Sequence, residues 1–253
     1  MRLIVAQKHI NLLKLIAVTC SAIYLPSCGN GFSGLQPGNS KRTFADWCRQ
    51  KADLSPEAKH TVEVLLKRAE TTDCAAANQK LLMLPALDLT NNKISDIKPL
   101  ESLTNLRMLN LNKNQISDIK PLESLTKLHY LCLDNNQIRD IQPLQSLNNL
   151  MQLKLYNNQI SDLKPLRSLD QLSELILKKN QISDIKPLRS LTRLNKLGIE
   201  NNQISDIKPL RSLTQLHQLY LSGNPIASKS CPIEPESICK WEPSPTESRF
   251  NIF

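Results

Sequence analysis

One block of 22 residues recurs along most of this chain, and this recurrence strongly limits the folds that the chain can adopt. Six full copies begin at Leu81, Leu103, Leu125, Leu147, Leu169 and Leu191, and a partial seventh runs from Leu213 into Ile226. A fixed period of this length is typical of a solenoid, in which each unit buries its apolar side only against its neighbours. The sequence therefore predicts one extended domain of stacked repeats.

Within each copy, the spacing of apolar residues predicts a short strand followed by a turn. In the second copy, Leu109 and Leu111 lie two residues apart, so both point inward from a strand while Asn110 points outward. Later in the same copy, Asp118 and Pro121 suit the start of a short helical turn. Strands should therefore line one face of the solenoid, and helical turns the other.

An asparagine follows the strand of every copy. It recurs as Asn92, Asn114, Asn136, Asn158, Asn180, Asn202 and Asn224. The chain must turn inward at this position, and a buried amide can satisfy backbone groups that would otherwise lack partners. We expect these side chains to form a hydrogen-bonded ladder along the solenoid.

The pattern LxxLxLxxNxIxxIxxL at this period resembles the internalin-like class of bacterial leucine-rich repeat proteins, over about residues 81–226. The resemblance implies an α/β repeat solenoid, a right-handed arc with a concave parallel β-sheet and short helical turns on the convex face. It also implies that the concave face binds proteins. It names no particular partner, because the motif is structural.

The start of the chain predicts export. Basic residues precede an apolar run over residues 15–25, an arrangement that looks like a secretory signal. The sequence Leu-Pro-Ser-Cys at residues 25–28 resembles a bacterial lipoprotein cleavage box, in which Cys28 would carry the lipid that holds the protein on a membrane. We expect a signal peptide over residues 1–27 and a flexible tether over residues 28–42. The protein is then a membrane-anchored lipoprotein at the cell envelope; ordinary secretion, to the outside or the periplasm, and an uncleaved anchor are the alternatives.

Four cysteines flank the repeats, Cys48 and Cys74 before them and Cys231 and Cys239 after them. An open-ended solenoid would expose its core at both ends, so capping segments are expected there. Since disulfides form in exported proteins, we expect Cys48 to pair with Cys74 and Cys231 with Cys239.

The segment before the repeats, residues 43–80, predicts a disulfide-bonded helical cap. Ser55 followed by proline is a helix-start signal, and Asp73 can start a second short helix. The repeats then occupy residues 81–226, and residues 227–253 form a C-terminal cap and tail.

The outward strand positions differ in nearly every copy, whereas the turn residues are nearly identical. Read across the copies, these positions form three rows that begin at Ala86, Asp88 and Thr90. We predict that they bind a protein or peptide ligand at a central surface, which consists of Met108, Tyr130, Cys132, Asp134, Lys154, Tyr156, Ile176 and Lys178. Aromatic anchors with a polar rim often carry most of the energy of an interface. The alternative is that these residues drifted after duplication without acquiring a function.

Cys132 is expected to project from the sheet as an unpaired surface thiol. A second hypothesis is that Lys154, on the neighbouring strand, lowers the pKa of this thiol. The sequence shows no phosphate loop, catalytic triad, carboxylate pair or Cys/His spacing of a zinc site. We therefore expect a non-enzymatic recognition module with no cofactor and no metal.

The formal charge of the chain is +9, and part of it forms a stripe on the turn side. The basic positions are Lys164, Arg167, Lys186, Arg189, Lys208 and Arg211, whereas the earlier copies carry Glu101, Glu123 and Gln145 at the arginine position. A solvated face is one explanation. The other is contact with anionic wall polymer or lipid, which would make the protein a structural component of the envelope. Nucleic acid is not expected as a partner of an exported protein.

Overall fold

Parallel strands of three residues recur at the repeat period in the computed structural model, which describes residues 42–242, and a strand of two residues follows them. Eight strands form one sheet in chain order. Their bounds are Ala86–Asp88 (β1), Met108–Asn110 (β2), Tyr130–Cys132 (β3), Gln152–Lys154 (β4), Glu174–Ile176 (β5), Lys196–Gly198 (β6), Gln218–Tyr220 (β7) and Cys239–Lys240 (β8). Equivalent residues of successive copies face each other, as Leu109 faces Leu87 and Leu131. The predicted leucine-rich solenoid with a parallel sheet on its concave face is confirmed.

The convex face is built from short 3-10 helices, one after each of the first six strands. They span Lys98–Leu100, Lys120–Ser124, Gln142–Ser146, Lys164–Ser168, Lys186–Ser190 and Lys208–Ser212. Asp118 Oδ1 accepts the backbone N–H of Lys120 at 2.8 Å, and Pro121 follows in the first turn, where its missing N–H costs no helical bond. These segments are too short for an α-helix and close with the tighter bonds of a 3-10 turn, such as Leu122 N–H to the carbonyl of Ile119 at 3.0 Å. The predicted helical turns are confirmed.

Leucine and isoleucine fill the interior of the solenoid. In the second copy, Leu109, Leu111 and Ile116 are 0–1% exposed, and the equivalent residues of the other copies are equally buried, except Ile226 in the partial last copy, which is half-buried. Full burial of each such side chain stabilises the fold by about 1.5–3 kcal/mol relative to leaving it in water. The core is therefore continuous along the stack.

The predicted asparagine ladder is present. Asn158 Nδ2 donates to the carbonyls of Leu155, at 3.2 Å, and of Leu133 in the preceding copy, at 3.0 Å. Its Oδ1 accepts the N–H of Ile138, also in the preceding copy, at 3.0 Å. The buried equivalents make the same bonds: Asn114, Asn136, Asn180 and Asn202. Each asparagine thus ties its own copy to the one before it.

Three helices precede the first strand: Phe44–Arg49 (α1), Pro56–Arg68 (α2) and Cys74–Met83 (α3), with a 3-10 turn at Lys51–Asp53. The predicted start signals act as caps, since Ser55 Oγ accepts the N–H of Ala58 at 3.2 Å and Asp73 Oδ1 accepts that of Ala76 at 2.6 Å.

The helices α1–α3 cover the first end of the core. Phe44, Leu65 and Ala77 are fully buried. The Cys48–Cys74 disulfide joins α1 to α3, as predicted from the sequence. The apolar interior of the first copy is therefore closed from solvent by a cap that is cross-linked to itself.

The other end of the sheet is closed by β8, a strand that the repeat pattern did not predict. The Leu221 N–H donates to the carbonyl of Lys240 at 3.0 Å, next to the pairing of β8 with β7. A 3-10 turn at Glu236–Ile238 leads into this strand, and the predicted Cys231–Cys239 disulfide is present. The C-terminal segment thus caps the stack by adding a strand.

No helix within residues 42–242 is long and apolar enough to cross a bilayer. The predicted signal peptide, Cys28 and nearly all of the predicted tether lie outside the described residues.

Candidate binding surface on the concave face

The strand register places the residues of the central surface on neighbouring strands. Met108 pairs with Tyr130 in the first row, and Cys132 pairs with Lys154, which in turn pairs with Ile176, in the second. In the third row, backbone bonds to the carbonyls of Tyr156 and Lys178 continue the alignment beyond the strands. The eight residues thus lie together on one face of β2–β5 and the segments that follow these strands.

Two tyrosines mark the middle of this surface. Tyr130 and Tyr156 are half-buried, as are Met108 and Ile176 beside them. The ammonium of Lys179 lies 5.6 Å from the centroid of the Tyr156 ring, within the range of a cation–π contact. Both rings therefore offer area to a partner while neighbouring side chains limit their motion.

Asp134 ties one copy to the next. Its backbone N–H donates to Asn112 Oδ1 at 2.6 Å, and its own Oδ1 accepts the N–H of Tyr156 at 2.7 Å. Burial raises the pKa of Asp134 to about 6, although the bond from Tyr156 and the nearby ammonium of Lys154 both act to lower it. The carboxyl is therefore partly protonated at mildly acidic pH.

An ion-paired chain crosses three strands beside the tyrosines, and we use this term for Lys154, Glu174 and Lys196. Glu174 Oε1 lies 3.6 Å from Lys154 Nζ and 3.4 Å from Lys196 Nζ. The three side chains are only 15–21% exposed, so solvent screens their attraction less than it would on an open surface. We did not include Glu174 and Lys196 in the predicted site. Their opposite charges in the same row of adjacent copies could have indicated an ion pair between them.

A second ion pair lies within the third row, where Lys178 Nζ is 3.6 Å from Glu200 Oε1 and the Glu200 side chain is 1% exposed. Gly198 makes this burial possible, because a Cβ there would lie 3.1 Å from Glu200 Oε2 and 3.1 Å from Ile176 Cδ1. The absence of a side chain at Gly198 thus leaves space over β6 for Glu200. We did not predict this use of glycine from the sequence.

The structure contradicts two expectations for Cys132, its exposure and the direction of its pKa shift. It is an unpaired thiol, but it is buried, at 2% exposure, rather than at the surface. Burial raises the pKa of this thiol, and the charge of Asp134 adds to the effect, so the hypothesis of a lowered pKa is also wrong. The reason is lateral spacing: strands lie about 4.8 Å apart, so longer neighbours such as Asn110 and Lys154 cover a small side chain between them.

A groove of about 390 Å³ lies near the beginnings of the middle strands, beside the central surface. Met151 in this groove is 40% exposed, which is unusual for so large an apolar side chain. The lining residues are His129, Asn149, Met151, Gln171, Ser173 and Arg193. Sequence reasoning missed this groove, because its residues come from the less regular segment before each strand.

Fold and surface together define a leucine-rich repeat solenoid with a varied concave face. A family model described as leucine-rich repeats matches residues 86–124, 104–149, 126–168, 170–212 and 192–232, which together cover more than half of the chain. The chain therefore belongs to the leucine-rich repeat family, and it is internalin-like in its repeats.

Solved structures show the same relationship. A crystal structure of internalin C2 from Listeria monocytogenes is 31% identical, with a TM-score of 0.54, and the match covers 70% of this chain and 88% of that one. A second internalin from this organism, inlF, is 32% identical with a TM-score of 0.53, and the match covers 70% of this chain. The present chain spans only 59% of inlF. Among curated proteins, none matches the sequence.

The family and the structural neighbours indicate the class of protein to which this chain belongs. Leucine-rich repeat proteins of this kind are protein-interaction modules and are typically not enzymes. The internalin neighbours and the two disulfides are those of an extracellular or cell-surface protein.

Proposed function

We propose that this protein binds a protein or peptide ligand at the central surface of its concave face, and that Tyr130 and Tyr156 are the anchors. The observation that carries the proposal is the pair of half-buried tyrosine rings at the middle of the sheet. Tyrosine combines a large apolar area with a polar end and loses little conformational entropy on binding, so it is enriched at interfaces.

The surroundings of the tyrosines support an interface that is organised before the ligand arrives. Asp134 is hydrogen-bonded to the backbone of Tyr156, and Lys154 and Lys178 are ion-paired to glutamates. A surface held in place by its own contacts has less order to gain on association, which lowers the entropic cost of binding. A ligand would therefore meet fixed charges around an apolar centre.

Photocrosslinking in intact cells tests the proposal. A photoreactive residue replaces Tyr130 on the concave face, and in a matched protein it replaces Glu123, which is exposed on the convex face. We expect a discrete protein adduct from position 130 and none from position 123. The same adduct from both positions, or none from position 130, would contradict the proposal.

The captured ligand then permits a quantitative test. We expect Tyr130→Ala combined with Tyr156→Ala to weaken binding by roughly 500- to 1,000-fold, because each anchor of this kind contributes roughly 2 kcal/mol and every 1.4 kcal/mol is about tenfold in affinity. Tyr220→Ala is the control, since Tyr220 lies half-buried on the same face but on β7, away from the centre. Its affinity should stay within about threefold of wild type by calorimetry. Equal losses in the two proteins would show that the centre has no special role.

We also infer that the protein works at the cell envelope, held on a membrane by lipid on Cys28, or is secreted if that cysteine is not lipidated. The cleavage-box sequence at residues 25–28 supports the anchor. Cys28→Ser should move the protein from the membrane fraction to the soluble fraction; retention of the variant in the membrane would contradict lipidation at this residue.

A further inference from the structure

The convex face carries an arginine row, which we define as Arg167, Arg189 and Arg211. Each is exposed and occupies the fourth residue of a 3-10 helix in three consecutive copies. The equivalent position in the earlier copies holds Glu101, Glu123 and Gln145. The charge of one structural position thus changes from negative to positive along the solenoid, and the change falls between Gln145 and Arg167.

Hydrogen bonds between copies hold the arginine row in line. Ser190 Oγ donates to the carbonyl of Arg167 at 2.9 Å, and Ser212 Oγ donates to that of Arg189 at 3.1 Å. Each turn is therefore fixed to the preceding one, and the guanidinium groups project from a rigid, evenly spaced backbone.

The arginine row differs in its charge environment from Lys164, the lysine beside its first member. Lys164 Nζ lies 3.7 Å from Asp162 Oδ2, whereas the three arginines have no ion pair and no side-chain hydrogen bond within residues 42–242. Asp162, Asp184 and Asp206 lie just before these 3-10 helices, where each carboxylate accepts the backbone N–H of the lysine two residues later. Lys164, Lys186 and Lys208, three residues earlier in the same 3-10 helices, are exposed on the same side as the arginines. The positive surface is consequently two side chains wide and three copies long.

We propose that the arginine row binds a linear polymer that carries phosphate groups. Guanidinium groups suit phosphate because their planar fork of donors can bond two of its oxygens at once. The narrow shape favours a chain over a membrane, because a planar anionic surface large enough to span the row would also approach the aspartates that precede the helices. This site is separate from the concave surface, so the chain would hold a polymer on one face and a protein on the other.

Binding of long-chain polyphosphate to the full chain, measured by fluorescence anisotropy at several salt concentrations, tests the proposal. A triple variant removes the row by replacing each arginine with glutamine: Arg167→Gln, Arg189→Gln and Arg211→Gln. Glutamine is chosen because an earlier copy already has it at this position, as Gln145. We expect about tenfold weaker binding at low salt, and a slope of log affinity against log salt that is shallower by about two, since each phosphate contact releases a counterion.

A matched control removes the same charge elsewhere. Lys59→Gln, Lys67→Gln and Arg68→Gln neutralise three exposed side chains on α2. This control should bind polyphosphate within about threefold of wild type, because long-range attraction alone is largely screened at moderate salt. Equal weakening of the two variants would mean that only net charge acts, and would overturn the proposal.

Two further arms complete the test. Glu123→Arg with Gln145→Arg extends the row into earlier copies, and should strengthen polyphosphate binding by about fivefold. No gain from this extended row would overturn the proposal even if the glutamine variant did not fold. Phosphatidylglycerol vesicles form the last arm; if they bind the chain as tightly as polyphosphate and with the same dependence on the arginines, the linear-polymer assignment is wrong.

Discussion

The interior of the solenoid and its concave face are made by the same strands. The inward side chains are nearly identical from copy to copy, whereas the outward side chains vary. The central, inward residue of each of the first seven strands is leucine, whereas the outward residues beside it include methionine, tyrosine, glutamine, glutamate and lysine. An inward leucine meets the same neighbours in every copy, so one residue suits all copies. An outward residue meets solvent, a partner or a different neighbour, so each can differ.

Stability resides mainly in the interior of this molecule, and recognition in its concave face. The repeated interior residues and the asparagine ladder set the spacing of the strands, and the varied residues then use this spacing to reach one another. We therefore expect changes to the interior to affect folding strongly, and changes to the concave face to affect pH dependence and binding with little effect on folding.

The largest expected effect comes from the ladder. Asn158→Ala should lower the free energy of unfolding by at least about 3 kcal/mol, because it leaves the Ile138 N–H and the Leu133 and Leu155 carbonyls without their amide partner inside the protein. Chemical denaturation followed by circular dichroism measures this loss. Ser161→Ala, at an exposed position of the same copy, is the control and should change stability by less than about 0.5 kcal/mol.

The same replacement in neighbouring copies tests whether all copies share one interior environment. Asn136 and Asn180 make the same set of bonds as Asn158, so their replacement by alanine should cost about the same, within roughly 1 kcal/mol. Widely different losses would show that the copies do not share one interior environment.

A smaller effect, which depends on pH, is expected at Asp134. The pKa of this carboxyl rises from 3.8 to about 6 on folding, so the folded protein keeps a proton that the unfolded chain releases between those values. Stability contributed by the protonated carboxyl is complete below about pH 4 and is lost as the pH rises through about 6. Asp134→Asn removes this dependence and keeps an oxygen for the Tyr156 N–H, as Asn112 does for Asp134 in the preceding copy.

Unfolding measured in urea at pH 4 and at pH 7 tests this prediction. Relative to the wild type, Asp134→Asn should gain about 1–3 kcal/mol between the lower and the higher pH. If the difference between the two proteins is the same at both pH values, burial does not penalise the charged carboxylate, and Asp134 is more accessible to water than the structure shows.

The smallest effect on stability is expected from Cys132→Ala. The accessibility of the Cys132 thiol to a labelling reagent tests this position more directly than stability does. A thiol reagent should label folded wild-type protein and Cys132→Ala to the same extent, because Cys132 is buried and its pKa is raised. In denaturant, the wild type should take up one more label per chain. All other cysteines are common to both proteins, so any additional labelling of the folded wild type would mean that the concave face opens at this point.

The sequence was sufficient for those parts of the structure that depend on fixed spacing. Strands, turns, the ladder around Asn158 and the two disulfides follow from residues that recur or flank the repeats at set positions. By contrast, β8 lies outside the repeat period. It follows the 3-10 turn at Glu236–Ile238, and the Cys231–Cys239 disulfide attaches it to the preceding segment. No periodic signal marks such a strand.

The missed features of the concave face depend on how far side chains reach sideways. Cys132 is short and lies between longer neighbours, so its direction could be predicted from the alternation along the strand while its burial could not. Similarly, Glu200 lies over β6 only because Gly198 has no side chain. Rows of outward residues can be read from a repeat, but contacts between rows require the actual lengths and conformations of the side chains.

The ion-paired chain has a consequence for how this array can change. Since successive copies have the same backbone, a whole copy could be lost by recombination with no break in the sheet. Loss of the fifth copy would remove Glu174 and bring Lys154 and Lys196 onto adjacent strands with no carboxylate between them. The copies are therefore interchangeable in their main chain, but the charges of the fourth, fifth and sixth copies depend on the order in which these copies follow one another.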